Sequence, residues 1–280
     1  MNNKFSYYLT GLIEGYGSII VPKTKTSKGR TNYPSIQIAF NLKDLPLALL
    51  IQKELKNGSL SRKKGVNAYI LTINFHKGLL LIIKLINGKM RTPKISSLYA
   101  LIDWCNTKDP NIKIDKKHLD QSSLESNCWL SGFIEADGHF NIRATKNSEY
   151  YPKVECKFEI CQRQIDYKGH GNINFLNDIS VFLNTETKKI RMSKPNSQYR
   201  VRTVNLKGNI ILKNYLNNYS LFGTKYLDYL DWLKVLSLFE KGKFNHKSII
   251  EYVQKIKSNM NNGRIVYTWN HLNNFYNLDI

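Results

Sequence analysis

Acidic side chains are scarce in this chain. In 280 residues, 21 Asp and Glu face 42 Lys and Arg, a formal charge of +21. An excess of that size repels itself unless a polyanion neutralises it, so nucleic acid or an acidic membrane surface is the expected partner. Cysteine is nearly absent too. Cys105, Cys128, Cys156 and Cys161 form no CxxC pair and no zinc spacing with the six histidines, which excludes a disulfide scaffold and a zinc finger and leaves free thiols in a reducing compartment. Long apolar runs are missing as well. The longest, "GLLLIIKLI" at 78–86, carries Lys84 and is too short to cross a bilayer. No basic segment followed by an apolar core opens the chain, so secretion is not expected. The charge together with an aromatic content of 12% favours nucleic acid over an acidic membrane surface.

What is abundant is Asn, Lys, Ile and Tyr, residues with AT-rich codons, a hint of an AT-rich genome such as an organelle's. The chain also repeats itself. "YLTGLIEGYGSI" at 8–19 returns as "WLSGFIEADGHFNI" at 129–142, with Leu9 matching Leu130 at an offset of 121. "IQIAFNLKD" at 36–44 pairs with "KFEICQRQ" at 157–164 at the same offset, which sets Asn41 opposite Gln162. Farther on, Asn74 matches Asn205, and Lys94 in "RTPK" matches Lys225 in "FGTK", both at an offset of 131. Colinear matches in this order indicate a duplication: a first half at 1–110, a polar linker at 111–127 that includes most of "CNTKDPNIKIDKKHLDQSSLESN", and a second half with a closing helix at 128–280.

Each half reads as helix, two strands, helix, two strands, helix. Leu9, Leu12 and Ile13, and their counterparts Leu130, Phe133 and Ile134, have helical spacing. In "HFNIRAT", His139, Asn141, Arg143 and Thr145 alternate with Phe140, Ile142 and Ala144, so one sheet face is apolar and the other polar and cationic. "KDLPLALLIQKELKNG" predicts a helix capped by Asp44, with Pro46 in its first turn and Gly58 as its stop. "SIIEYVQKIKSNM" predicts a last helix with a Ser248–Glu251 capping box and a stripe of Ile249, Val253, Ile256 and Met260.

Gly11 and Gly15, like Gly132 and Ala136, are four residues apart, a flat strip on which a second helix backbone could settle. Packing accounts for these small residues but not for Asp137. With Gly138 as a C′ residue, Asp137 should end its helix, where the dipole disfavours a carboxylate by about 0.3–1 kcal/mol. An acid in that position suits a hard divalent cation that bridges phosphates.

The pair "LTGLIEGYG" and "LSGFIEADG" resembles the double motif of LAGLIDADG homing endonucleases and the related group I intron maturases, and the likeness covers nearly the whole chain. The resemblance implies an α+β monomer of two pseudo-symmetric αββαββα halves. Their antiparallel sheets would form a saddle over a long, roughly pseudo-symmetric double-stranded DNA site, with the motif helices paired at the interface. It further implies a mitochondrial setting and Mg2+ as cofactor, with Mn2+ able to substitute. The metal-binding acid falls at Asp137 in the second motif, whereas the first has Tyr16. Lys94 and Lys225 match basic residues near the scissile phosphates, and Gln162 and Asn41 match polar residues that position water. DNA contacts are expected from His139, Asn141, Arg143, Thr145, Arg200 and Arg202. A phenol is neutral near pH 7 and a poor magnesium ligand. Glu14 and Glu135, two residues earlier and about 200° around the helix, do not replace it. Three readings stay open: an intron-encoded endonuclease with a degenerate first site whose cleavage is weak or single-stranded, a maturase that holds group I intron RNA, and an inactive DNA binder.

Overall fold

Alternation of apolar and polar side chains builds two sheets. The computed structural model describes residues 3–22, 24, 29, 32–145, 153–192, 197–242 and 247–278. The first half contains α1 (Asn3–Tyr16), β1 (Gly17–Ile20), β2 (Ser35–Asn41), α2 (Leu45–Leu55), β3 (Ser59–Arg62), β4 (Ala68–Ile73), α3 (His76–Ile86) and α4 (Ile95–Lys108). The second contains α5 (Trp129–Asp137), β5 (Gly138–Thr145), β6 (Lys153–Arg163), α6 (Ile173–Phe182), β7 (Thr187–Ile190), β8 (Gln198–Arg202), α7 (Leu206–Asn218), α8 (Lys225–Glu240) and α9 (Lys247–Ser258). Both sheets are antiparallel, in the orders β1-β2-β4-β3 and β5-β6-β8-β7. The chain is thus α+β, and each half repeats the expected order with one further helix, α4 or α8, begun beside Lys94 or Lys225.

By packing, the chain divides into two units. One runs to Ala136 and includes the segment from Asn274; the other spans Asp137–Asn273. In the first unit, Ile36, Ile38 and Phe40 of β2 and Leu71 and Ile73 of β4 are buried with Leu79, Ile82 and Ile83 of α3. In the second, Phe140, Ile142, Phe158, Ile160 and Val201 are buried with Tyr229 and Trp232 of α8. Arg264 closes this core from the C-terminal side, bridging Asp228 at 2.8 Å and Asp231 at 2.6 Å.

Three local expectations change. Helix α2 stops at Leu55 because Lys56 adopts a left-handed conformation (φ 48°), before Gly58 is reached. Helix α4 carries the chain to Lys108, so the polar stretch is helical at its start. The rest of that stretch is tied down: Asn87 donates to the Asp115 carbonyl, and Arg91 bridges Asp120 at 2.7 Å. Ser248 lies inside α9, not ahead of it, and Ile250 is buried where Ile249 is only half-buried.

By sequence α5 opens the second repeat, yet by packing it belongs to the first unit, because its backbone lies against α1. A Cβ added at Gly11 would sit 2.0 Å from the Trp129 carbonyl oxygen, and one at Gly132 would sit 2.0 Å from that of Tyr8. Only glycine permits that approach. We expect Gly11→Ala to cost about 1–3 kcal/mol by forcing the helices apart, read as a lower thermal midpoint; an unchanged midpoint would contradict the contact.

The motif glutamates fasten the same pair. Trp129 Nε1 donates to Glu14 at 2.6 Å, and Tyr8 donates its hydroxyl to Glu135 at 3.2 Å. Tyr8 and Trp129 are repeat counterparts, as are Glu14 and Glu135, so each helix clasps the other's aromatic residue. Glu14 also accepts from the Thr92 backbone N–H (2.7 Å), the Thr92 hydroxyl (2.6 Å) and the Arg91 backbone N–H (3.1 Å). Burial pushes its pKa up, and the hydrogen bonds from Thr92, Trp129 and Arg91 oppose that shift. With these four donors around it, Glu14 is a structural acid.

Candidate active site

Helix α5 ends at Asp137 and the chain turns directly into β5. Gly138 is extended strand, not the left-handed cap expected of it. Asp137 is half-buried, and its Oδ2 accepts from Gln162 Nε2 at 2.8 Å. In β6 the side chains of Val154, Cys156, Phe158 and Ile160 form the buried row, and Gln162 continues that row just past the core. The amide therefore lies on the helix-side face, where it meets the carboxylate. It does not lie on the open face that would read bases.

Strand register corrects the partner assigned to it. Gly17 pairs with Ile38, and its counterpart Gly138 pairs with Ile160. Two residues beyond each partner lie Phe40 and Gln162. The residue opposite Gln162 in the repeat is thus Phe40, which is 2% exposed, and not Asn41. The path from opening glycine to partner is one residue longer in the second half, which breaks the constant offset that set Asn41 there. Asn41 is exposed and caps the short turn after β2, its Oδ1 accepting from the Lys43 N–H at 3.2 Å.

Lys94 has a structural task. Its ammonium donates to the carbonyls of Ile13 (3.0 Å), Glu14 (2.6 Å) and Gly17 (2.7 Å), a cation set where α1 ends and β1 begins, at the negative dipole end of the helix. Lys225 holds the matching place as the first residue of α8 and is half-buried. In the first unit Tyr16 ends α1 as Asp137 ends α5, and it too is half-buried.

The open face of the second sheet carries the residues expected to touch nucleic acid. His139, Asn141, Arg143 and Thr145 share it along β5, and cross-strand pairing adds Arg200 and Arg202 of β8. Arg202 donates through Nε to Glu159 at 2.7 Å. Lys157, Arg163 and Lys188, which are not among the contacts expected from sequence, belong to this face as well. The alternation of β6 was the signal for the first two.

Among the described residues, no three His, Cys, Asp or Glu gather as a metal site. One carboxylate steadied by an amide still fits a magnesium ion that takes most of its ligands from phosphate and water. Asp137 and Gln162 form this pair in the second half, and Tyr16 and Phe40 hold the corresponding positions in the first.

A sequence model described as LAGLIDADG endonuclease matches residues 9–106 and 130–236, both halves of the chain. The chain belongs to the LAGLIDADG endonuclease family. It is 31% identical to the intron-encoded DNA endonuclease aI3 of Saccharomyces cerevisiae, over 98% of this chain and 74% of that one. It is also 30% identical over 157 residues to the intron-encoded RNA maturase bI4 of the same yeast, across 55% of this chain and 22% of the relative. The crystal structure of the I-SmaMI LAGLIDADG homing endonuclease bound to cleaved DNA shares the fold, with a TM-score of 0.70 and 19% identity over 93% of this chain and 98% of that one. Among the described residues, no helix of this LAGLIDADG chain is long and apolar enough to cross a membrane.

Proposed function

We propose that the chain is an intron-encoded homing endonuclease that binds a long double-stranded DNA site as a monomer in mitochondria and cuts mainly one strand. The observation that carries this reading is the asymmetry between halves. Asp137 and Gln162 form a hydrogen-bonded pair in the second unit, while Tyr16 and Phe40 hold the corresponding places in the first. Asp137 is the residue that would hold magnesium, or manganese in its place, and the bound ion would polarise phosphate and water. Gln162 keeps the carboxylate oriented. Lys94 is a positioning residue, fixing the end of the helix that bears Tyr16. The cationic face of the second sheet supplies phosphate and base contacts, so affinity should fall steeply with salt.

Tyr16→Asp tests the asymmetry. It restores an acid but leaves Phe40 where an amide is needed, so we expect linear product to appear on a nicked plasmid, more slowly than the first cut. Linear product already abundant with Tyr16 in place would overturn the one-strand reading.

A second reading, holding group I intron RNA during splicing, is favoured by the likeness to RNA maturase bI4. Tight RNA binding, with no cut in duplex DNA, would select it over the first. Tight duplex binding with neither cut nor RNA affinity would leave an inactive DNA binder.

A further inference from the structure

The two open sheet faces differ in chemistry. In the first sheet, the pairs Ser18–Gln37, Gln37–Thr72, Ala39–Ile70 and Ser61–Ile70 lie on the face away from the buried row of Ile36, Ile38, Leu71 and Ile73. Every residue in those pairs is uncharged. In the second sheet, the corresponding face holds Arg143 opposite Glu155, Arg200 beside Lys188, and Arg202 held by Glu159. Arg163 extends the cationic row along β6. Among the described strand residues, the repeat has therefore kept the fold of both sheets while gathering the ionic side chains of these faces on the second; in the first, Lys63 follows just past the end of β3, its N–H donating to the Ala68 carbonyl at 2.9 Å.

Resting on the duplex-DNA reading above, we infer that the two sheets read half-sites of different base composition. The neutral sheet is matched to A·T pairs. Gln37 can bond adenine N6 and N7 in the major groove, and the methyl-bearing Ala39, Ile70 and Thr72 can contact the thymine methyl group. The charged sheet is matched to G·C pairs. Arg143, Arg163 and Arg200 can bond guanine O6 and N7 in bidentate fashion, while Glu155 and Glu159 can accept from the cytosine amino group. Neighbours on the sheet also hold two of these charges: Lys157, two residues along β6, bridges Glu155 at 3.0 Å, and Arg202 Nε donates across the strands to Glu159 at 2.7 Å. That pre-orients the carboxylates at the groove-facing surface.

The test selects bound duplexes from a randomised double-stranded pool with the full chain, without added divalent metal, and sequences them. The expected result is a site with one A·T-rich half and one half containing conserved guanines. Arg200→Ala should relax a guanine position in the second half and weaken binding about tenfold. Gln37→Ala should relax an adenine position in the first half only. Equal G·C content in both halves would overturn the inference. So would Arg200→Ala relaxing the A·T-rich half, or relaxing nothing. A pool that yields no enriched duplex at all would overturn the duplex reading itself, a failure visible before either variant is examined.

Discussion

Asp137→Asn is expected to slow nicking of a bound target by about 10²–10³-fold, the scale on which removing one group that stabilises transition-state charge acts. Affinity for the duplex should hold or rise slightly, because a negative charge close to phosphates has been removed. Asparagine is nearly the size of aspartate and can still accept from Gln162, so the fold should survive; thermal unfolding checks that. Single-turnover nicking and equilibrium binding, measured on the same preparation, separate the two effects. Cutting that persists at the original rate would mean the chemistry lies elsewhere. Lost binding would mean that Asp137 is structural.

The second large effect is on stability. Glu14→Ala removes the acceptor for Trp129 Nε1, for the Thr92 and Arg91 backbone N–H groups and for the Thr92 hydroxyl. Each buried donor left without a partner costs about 1–3 kcal/mol, so the set should cost at least ~3 kcal/mol. At roughly 2–4 °C per kcal/mol for a chain of this size, the thermal midpoint should fall by about 6–12 °C. The loss falls on the clasp between α1 and α5, where Gly11 and Gly132 already bring the two backbones into contact. A shift below about 2 °C would show that water replaces the carboxylate and that the clasp contributes little.

Much of this was legible in the residues. The repeated motif, the alternation in "HFNIRAT" and the +21 charge pointed to two α+β halves with a cationic sheet face, and to Asp137 as the last residue of the second motif helix. Three features were not. Register across a hairpin depends on how many residues the hairpin contains, and one extra residue there moved the counterpart of Gln162 from Asn41 to Phe40. The partners of Lys94 lie about eighty positions away in the chain, and a lysine beside a helix start looks the same whether it meets solvent, phosphate or a distant carbonyl. Glu14 and Glu135 could be set aside as metal ligands from helix geometry, but their reciprocal grip on Trp129 and Tyr8 needed the helices to be seen packed.

The central claim is that one half carries the chemistry. It is tested most directly by labelling the two strands of a selected target duplex separately and following each with magnesium present. The account predicts that one strand is cut, always the same one, and that its product disappears in Asp137→Asn. Both strands cut at similar rates, or a cut that survives that substitution, would contradict it.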